Sequence, residues 1–296
     1  MISNSKKIIR VFYGGLAAGL VFLAGFLFFS LPSGRLELHF LNVGQGDALL
    51  IQTPEGYNIL VDGGPDNAVL YELGKYLPFY NRQIDLMVLT HPHADHLAGL
   101  VEILKRHQVN KILTTGVFYG SAEYEKWLAL IKEKNIPVEI ANHQGIMPLG
   151  GQVHFFILFP EISLENKKIK NVNNASIVGK LIYGKSSALL SGDFEDEEEL
   201  VGKVDLTAQI LKAGHHGSDN ANSRKFLAAV GPKYAVISVG ENKYGHPNQK
   251  TVENFEALGA KILRTDQPGG INFVSDGQKF SLSPVNPYWA WLFSAP

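Results

Sequence analysis

Short apolar runs separated by glycine, proline and polar turns make up most of this chain, and they predict strands. The first runs cover residues 36–43, 48–52 and 58–61, with a Pro-Glu-Gly turn between the second and the third. Apolar runs of this length that end at turn residues fit a sheet better than helices. After residue 35 the chain is therefore expected to begin as a sheet.

From residue 85 to residue 141 the pattern alternates between strand and helix. Trp127, Leu128 and Ile131 give residues 124–134 the apolar spacing of a helix face. The later pattern predicts strands at 152–159, 187–191, 206–212, 234–239 and 261–264, a helix at 249–258 and a last hairpin through Ser275-Asp-Gly. This alternation is typical of an α/β layer.

Residues 11–31 contain no charged side chain and are rich in Leu, Phe, Val and Gly. A helix that rises ~1.5 Å per residue would cross a ~30 Å hydrocarbon layer over this length. Three basic residues lie in 1–10 and only Arg35 follows closely, so the positive-inside rule predicts a cytoplasmic N-terminus and an extracytoplasmic remainder. A cleaved signal peptide is the alternative, but no clear Ala-x-Ala site precedes Arg35. We expect an uncleaved single-pass anchor in the cytoplasmic membrane.

The tail 284–296 is a cluster of aromatic residues outside the apparent domain. It contains Tyr288, Trp289, Trp291 and Phe293. Such a segment either packs back on the fold or makes shallow contact with a membrane surface, where Trp and Tyr are enriched.

The composition limits the kinds of functional site that this chain can have. The chain has 296 residues, which would allow two domains of ~150 residues, although α/β folds of this size are commonly single. It has no cysteine, which excludes thiolate zinc sites, disulfides and cysteine nucleophiles. A formal net charge of −1 gives no global attraction to nucleic acid, so any phosphate binding must come from local basic residues.

Four potential metal ligands follow the apolar run 87–90, namely His91, His93, Asp95 and His96. Imidazoles held side by side must stay neutral or gain a cation, so a divalent ion is the expected occupant. His91 and His93 are two positions apart and can grip one ion. Asp95 and His96 begin the next helix and face a second ion. The alternative is a surface turn that happens to be rich in histidine.

This H-x-H-x-D-H pattern resembles the signature of the metallo-β-lactamase fold. Later segments resemble the extracytoplasmic hydrolase domain of ComEC-type DNA-uptake proteins, namely Leu-Leu-Ser-Gly-Asp193-Phe, Gly-His215-His216-Gly-Ser, Tyr-Gly-His246-Pro and Arg-Thr-Asp266-Gln-Pro-Gly. The similarity covers residues 35–283. It implies an α/β fold of the αββα sandwich type, with two mixed sheets face to face, helices outside and metals at one edge. One transmembrane helix would precede this domain.

The resemblance also implies a ligand set. Asp193 would bridge two divalent ions, and Asp62 would orient a ligand histidine. Asn174 and Ser176 belong to a segment that stands where the familiar lactamases place a third histidine, and they are assigned to the surroundings of the ligands. One metal position therefore lacks a strong nitrogen ligand, which suits manganese as well as zinc.

The vicinal histidines are given different roles. Two neighbouring rings cannot easily reach one ion from an extended backbone, so His216 is assigned to metal and His215 to the substrate phosphate. His246 is a lone loop histidine, for which a structural role is the alternative to a role in the site. The expected catalytic residues are Asp95, His215 and His246.

Further residues are expected near the substrate. The resemblance places the glycine-rich turn 42–47 at the rim of the site, and the expected substrate contacts are Gln45, Asp47, Lys243 and Asp266. The charged loop 165–170 is either solvated or in contact with an anionic substrate. The acidic run 195–199 is predicted to be the first turn of a helix and not a further ligand cluster, because acidic residues are favoured there by the helix dipole.

These residues indicate metal-assisted hydrolysis. Two divalent ions can generate hydroxide at neutral pH and stabilise the charge of an in-line displacement at phosphorus. The resemblance implies a phosphodiesterase or nuclease that acts on single-stranded DNA outside the cytoplasmic membrane, in DNA uptake or competence, with a separate uptake channel as a possible partner. A phosphodiesterase on wall polymers or small phosphodiesters is the first alternative. The second, a non-catalytic binding module, is disfavoured by the complete ligand set.

Overall fold

The structure is a computed structural model that describes residues 12–16, 19–20, 33–77, 81–142, 144–267 and 270–284. The chain forms two compact units, Met1–Ser33 and Gly34–Pro296. In the first unit, residues 12–16 and 19–20 are helical and exposed.

Within the described ranges, no helix combines the length and the apolar character needed to cross a membrane. Most of the predicted anchor at 11–31 lies outside those ranges, as do residues 1–10 and 285–296. The expected anchor and aromatic tail therefore stay predictions.

Seventeen strands and five α-helices are described in the second unit. The strands are β1 Leu36–Phe40, β2 Leu49–Gln52, β3 Asn58–Val61, β4 Gln83–Ile84, β5 Leu86–Leu89, β6 Gln108–Val109, β7 Ile112–Thr114, β8 Val138–Ile140, β9 Gly145–Pro148, β10 Val153–Phe159, β11 Val178–Tyr183, β12 Ser186–Leu190, β13 Ile210–Lys212, β14 Tyr234–Ile237, β15 Lys261–Arg264, β16 Ile271–Ser275 and β17 Phe280–Ser283. The helices are α1 Ala68–Leu73, α2 Ala94–Arg106, α3 Ala122–Glu133, α4 Arg224–Val230 and α5 Gln249–Ala257.

These strands form two large mixed sheets. The first has the order β17-β16-β1-β2-β3-β5-β7-β8, and the second has the order β15-β14-β13-β12-β11-β10-β9. In the first sheet, neighbours are antiparallel from β17 to β3 and parallel from β3 to β8. In the second, they are antiparallel from β9 to β12 and parallel from β12 to β15. Two short strands, β4 and β6, pair separately.

Three apolar layers hold the sheets and helices together. Residues from both sheets, among them Phe40, Leu181 and Phe273, form one central cluster between the sheets. A second cluster joins the first sheet to α2 and α3, with Trp127 fully buried, and a third joins the second sheet to α4 and α5 around Phe255. Each buried side chain of this size contributes about 1.5–3 kcal/mol. The predicted αββα arrangement with two mixed sheets is confirmed.

Some predictions of individual strands and helices were wrong, mainly for short elements. The run 206–212 forms a strand only from Ile210, because Leu206 packs in the outer cluster instead. Two short helices, α1 and α4, were not predicted. A capping signal marks the second, since the Ser223 side chain accepts a hydrogen bond from the backbone N–H of Phe226.

The parallel strands of both sheets end next to the candidate ligands. Carboxyl ends of parallel neighbours meet at the same edge of a sheet, where ligand sites are expected. Asp62 follows β3, His91 follows β5, Asp193 follows β12, and the His215-His216 pair follows β13. The predicted delivery of ligands by strand ends therefore matches this topology.

Candidate metal centre

A glycine contact brings the start of α2 against the end of β3. The backbone N–H of Gly63 donates to the carbonyl of His96 (2.7 Å), and that of Gly99 donates to the carbonyl of Gly64 (3.0 Å). A Cβ at Gly99 would overlap the carbonyl oxygen of Gly63, so only glycine permits this approach. As a result Asp62 reaches His96, with 2.8 Å between Oδ2 and Nδ1.

The two vicinal histidines have left-handed backbones. His215 has φ 47° and His216 has φ 52°, in a turn flanked by Gly214 and Gly217. Such conformations cost about 1–3 kcal/mol each and occur mainly at functional sites. The turn brings both Nε2 atoms towards Asp193 Oδ2, at 3.9 Å from His215 and 3.4 Å from His216. The assumption of an extended backbone here was wrong.

The donor atoms have the spacing of ligands around small cations. Ligands ~2.0–2.1 Å from a tetrahedral zinc ion lie about 3.3 Å from one another. Nδ1 of His93 lies 3.1 Å from Nε2 of His91. Asp193 Oδ2 lies 3.2 Å from His96 Nε2, and Asp95 Oδ2 lies 3.2 Å from His216 Nε2. The donors are thus already at the separations that a bound ion requires.

Two donor groups share Asp193. Asp95, His96, Asp193 and His216 offer ligand atoms that all lie within 4.8 Å of one another. His91 Nε2, beside His93, is 3.9 Å from Asp193 Oδ2. A carboxylate between two donor groups suits the bridging role expected of Asp193.

Hydrogen bonds fix which ring nitrogen is available. His216 Nδ1 donates to the Ser238 carbonyl (3.0 Å), and His96 Nδ1 donates to the Asp62 carboxylate (2.8 Å). Because both acceptors lack a proton to give, the hydrogen is on Nδ1, and Nε2 points into the donor group. This arrangement orients metal-ligating histidines and raises their basicity.

His91 is oriented in the same way. Its Nδ1 lies 3.2 Å from the hydroxyl of Thr90 and 3.2 Å from that of Ser176. The Thr90 hydroxyl already donates to Asp62 Oδ2 (2.7 Å), so its oxygen is left to accept from His91 Nδ1. The Nε2 lone pair of His91 therefore faces His93 and Asp193.

Burial and charge suit a cation in this place. His96 Nε2 and Asp193 Oδ1 are buried without a hydrogen-bond partner among the described residues. Burial lowers the pKa of His91 well below its usual value, and His96 adds to the effect, so His91 is neutral and able to ligate. Burial also opposes the charged form of His96, but Asp193 and Asp62 outweigh it and raise the pKa well above the usual value. The carboxylates that attract this proton would equally attract a divalent cation, so the donor set fits a metal.

A buried ion pair lies beneath the ligands. Lys212 is 4% exposed, and its ammonium pairs with Asp47, lies 3.5 Å from Asp193 Oδ1 and donates to the carbonyl of Gly192 (2.9 Å). Burial raises the pKa of Asp47, but Lys212 and His216 outweigh it and bring the value to about 2. Asp47 was expected at the rim with the substrate; it is instead buried against Lys212, because an unpaired ammonium there would be costly.

Glu195 is a site residue that the acidic-run interpretation excluded. Its Oε1 lies 2.8 Å from His215 Nδ1, and its two oxygens accept from the side-chain amides of Asn171 (2.6 Å) and Asn173 (2.9 Å). The carboxylate thus holds the His215 ring with Nε2 towards Asp193. Only Glu197–Leu200 forms the predicted helical turn, as one 3₁₀ turn.

Glu197, which lies in that turn, is buried. It is 2% exposed, Oε1 accepts from the backbone N–H of Ser223 (2.9 Å), and Oε2 has no partner within the described ranges. Burial raises its pKa from 4.5 to about 7. The folded-state value exceeds the unfolded one, so this group's contribution to stability is fully present below pH ~4.5 and is lost as pH rises through about 7.

We therefore expect Glu197→Gln to raise the free energy of unfolding at pH 8 by up to about 3 kcal/mol relative to the wild type, and to change it little at pH 4.5. Urea denaturation at the two pH values measures the difference. Glu198→Gln is the control, because the Glu198 side chain is 51% exposed. An equal effect of both substitutions at both pH values would contradict the assignment.

Ser176 and Asn174 have different positions. Ser176 Oγ contacts His91 and accepts from the backbone N–H of Asp193 (3.1 Å), so it joins two ligand segments. Asn174 contacts no ligand among the described residues. Its side chain binds Asp196 and accepts from the backbone N–H of Glu195 (2.9 Å), so it fixes the loop that carries the partner of His215.

The remaining predicted residues lie at varying distances from the donors. His246 is half-buried, with its ring centre 5.3 Å from that of His215. Gln45 Oε1 accepts from the backbone N–H of Gly240 (3.4 Å), and Lys243 is exposed. Asp266 is exposed and forms a two-point ion pair with Arg264, so its partner here is a neighbouring strand residue and not the metal centre.

Two weak signals in the sequence could have revealed the missed residues. Lys212 is a lone charge at the end of an apolar strand, directly before the Gly-His-His turn. Such a charge is almost never buried without a partner. Glu195 stands two positions after Asp193, where alternation in an extended segment places it on the same side.

Comparisons with known proteins identify the family of this chain. Residues 41–241 match the family described as the metallo-beta-lactamase superfamily. The chain is 30% identical over 286 residues to ComE operon protein 3 of Bacillus subtilis (strain 168), covering 89% of this chain and 36% of that protein. It is 31% identical over 266 residues to Competence protein ComA of Neisseria gonorrhoeae, covering 86% of this chain and 35% of that protein. The chain thus spans about a third of the length of these relatives.

Solved structures support the fold alone. The metallo-beta-lactamase fold protein YhfI from Bacillus subtilis superposes with a TM-score of 0.55 at 14% identity, over 81% of this chain and 100% of that one. A metallo hydrolase from the archaeon Ignicoccus hospitalis gives 0.50 at 17% identity, over 81% and 98%. Because the family match covers more than half of the chain and includes the ligand-bearing segments, this protein belongs to the metallo-beta-lactamase superfamily and is related to the competence proteins at about 30% identity.

Proposed function

We propose that this protein is a metal-dependent phosphodiesterase that binds two divalent ions, zinc or manganese, and cleaves single-stranded DNA. The observation that carries the proposal is the complete donor set around Asp193, in which hydrogen bonds already turn the ring nitrogens of His91, His96 and His216 inward. A non-catalytic relative would have no need to keep both donor groups. Bound divalent ions supply Lewis acidity, which activates water and offsets charge developing at phosphorus.

The donor residues and their neighbours have different roles in the proposed reaction. His91, His93 and Asp193 form one donor group, and Asp95, His96, His216 and Asp193 form the other. His215 lies beside them, half-buried and held by Glu195, so its Nε2 can donate to a substrate phosphate when both ring nitrogens carry a proton. His246 lies next to His215 and completes the wall on that side.

DNA is proposed as the substrate because two relatives that match over most of this chain are named as competence proteins or encoded in the ComE operon. The donor set would contact the phosphodiester of the substrate and no base edge, which supports cleavage with little sequence preference. The formal net charge of −1 supports a small number of phosphate contacts. It equally favours a small or weakly charged diester, so a wall phosphodiester is the second candidate.

We expect the manganese- or zinc-loaded protein to cleave single-stranded DNA, with binding that depends weakly on salt. Log affinity for single strands falls by ~0.7 per neutralised phosphate per decade of salt, and we expect about two or three phosphates to be engaged. The assay compares DNA with a phosphocholine diester, using the same loaded protein. Rapid turnover of the diester with DNA untouched across metals and salt would replace the nuclease by the second candidate. Failure on both substrates with full metal content would favour a binding module.

We also propose that residues 11–31 anchor the protein in the cytoplasmic membrane with the hydrolase outside, where a separate uptake channel would pass DNA to it. The uncharged segment and the basic residues before it support this orientation. Protease added to spheroplasts should then digest the domain. Complete protection in spheroplasts, with digestion after lysis, would place the domain in the cytoplasm.

A further inference from the structure

Two exposed aromatic side chains belong to segments that contact the metal centre, and each has a lysine over its ring. Phe118 is 50% exposed, and Lys168 Nζ lies 5.1 Å from its ring centre. Tyr244 is 65% exposed, and Lys243 Nζ lies 5.9 Å from its ring centre. Each pair therefore offers a flat apolar face and a positive charge at one place.

The segments that carry these two rings each contact the metal centre through an aromatic residue. Tyr119, which follows Phe118, packs edge-on against the predicted ligand His93 with 5.7 Å between ring centres. The ring of Tyr244 lies 5.9 Å from that of His246, which packs against His215. The Phe118 segment thus lies on the His93 side of the centre, and the Tyr244 segment lies on the His215 side.

The segment that carries Phe118 is firmly held. The backbone N–H of Phe118 donates to the carbonyl of Lys167 (2.9 Å). Val117 before it is 1% exposed, and its carbonyl accepts from the Tyr124 hydroxyl (3.1 Å). Because Val117 points into a small apolar cluster with Leu164, Phe118 is turned outward. Its exposure follows from a fixed backbone.

The segment that carries Tyr244 is held by a single side chain. Asn242 donates from Nδ2 to the carbonyls of Gly240 and His246, both at 2.8 Å. Its Oδ1 accepts from the backbone N–H groups of Tyr244 (3.0 Å) and His246 (3.1 Å). Asn242 therefore spans the turn and presents the tyrosine ring before any ligand binds, which lowers the entropy cost of binding.

We propose that Phe118 and Tyr244 are base-stacking positions that guide single-stranded DNA across the metal centre, with Lys168 and Lys243 pairing with its phosphates. This proposal rests on the proposed nuclease function and names how the substrate is held. Aromatic faces combined with basic side chains bind single strands with little sequence preference, because every base has a π face. Duplex DNA keeps its bases stacked inside, and wall polymers without planar bases have nothing to stack.

The charges near Phe118 favour the same ligand. Lys167, Lys168 and Lys170 are all exposed on one loop, which is bonded to the Phe118 segment. Loop 165–170, for which the sequence allows either solvation or contact with an anionic substrate, is thus fixed beside the Phe118 segment. Its lysines match the backbone charge of a strand that leaves the metal centre on this side.

The test measures binding of the full chain to a thymidine oligomer and to an abasic oligomer of equal length and equal phosphate count, in EDTA so that neither is cleaved. Base stacking predicts that the wild type binds the thymidine oligomer about tenfold more tightly or better. Phe118→Ala and Tyr244→Ala should each weaken this binding by about tenfold and leave binding of the abasic oligomer unchanged. Phe118→Trp should keep the preference.

Tyr71→Ala is the matched control. Tyr71 is 71% exposed with Lys75 Nζ 4.9 Å from its ring centre, but it lies on α1 and contacts no metal-centre residue within the described ranges. Metal content after reconstitution, measured by mass spectrometry, should equal that of the wild type in all variants, because none of these aromatic side chains is a candidate ligand, and it shows that the centre is intact.

Equal binding of the two oligomers by the wild type would overturn the proposal, and so would an unchanged preference in both alanine variants. A glycerol phosphate oligomer of equal charge that binds as tightly as the thymidine oligomer would also overturn it, in favour of a wall polymer. A wild-type preference that both alanine variants lose supports the stacking positions even if the manganese-loaded protein leaves the DNA uncut, in which case only the nuclease function fails.

Discussion

Asp193→Ala is expected to abolish hydrolysis and to release bound metal. Its Oδ2 lies 3.2 Å from His96 Nε2, 3.4 Å from His216 Nε2 and 3.9 Å from His91 Nε2, so it is the one carboxylate common to both donor groups. Mutations of residues that merely support metal ligands already cost 10–100-fold. Removing a shared ligand should therefore cost at least about 100-fold in turnover.

Metal content by mass spectrometry and turnover of a small diester should be measured on the same preparation. Asp95→Ala should have a comparable effect, because Asp95 Oδ2 lies 3.2 Å from His216 Nε2. Glu198→Ala is the control, since the Glu198 side chain is 51% exposed and pairs with Lys225. Near-normal turnover with full metal content in Asp193→Ala would remove the basis of the assignment.

Lys212→Met is expected to lower the free energy of unfolding by about 3–5 kcal/mol, even without metal. The substitution keeps the apolar stem but removes the only ammonium described between two buried carboxylates. Asp47 and Asp193 are 6% and 1% exposed, so neither can recover its hydration when Lys212 is lost. Urea denaturation in EDTA measures the loss separately from any effect on metal binding.

Lys180→Met provides the matched control. Lys180 is also buried, at 5% exposure, but its partner Asp205 has a side chain that is 73% exposed. Asp205 becomes hydrated when the pair is broken, so the cost should be small. A double variant, Lys212→Met with Asp47→Asn, should recover part of the lost stability, because it removes one of the two buried carboxylates that have lost the Lys212 ammonium. Equal losses for Lys212→Met and Lys180→Met would contradict the role of the buried carboxylates.

The part of the site that is contiguous along the chain could be predicted from sequence. His91, His93, Asp95 and His96 lie within six positions, and their residue types alone indicate a metal. Many of the strands could also be predicted, because apolar runs that end at turn residues are local signals. The two mixed sheets follow from the resemblance and are present.

The site contacts that could not be predicted from the sequence depend on pairing between distant segments. The pairing of β13 with β12 brings Lys212 close to Asp193, and Asp47 reaches it from the segment between β1 and β2 of the other sheet. Glu195 belongs to an acidic run, and charge alone does not reveal that one member points at His215. The left-handed pair after β13 was also hidden, since non-glycine residues rarely adopt that conformation.

The ligand set also connects the two halves of the chain. Asp95 lies in the first turn of α2, which follows β5 of the first sheet, and His216 lies 121 positions later in the turn after β13 of the second sheet. Their ligand atoms are 3.2 Å apart. A cation held by both would close a long loop in a chain that has no cysteine with which to do so. Closing a loop of ~100 residues in the unfolded chain contributes roughly 4–5 kcal/mol in the chain-entropy model of cross-links. The stability of this domain would then depend on the metal supply of its surroundings.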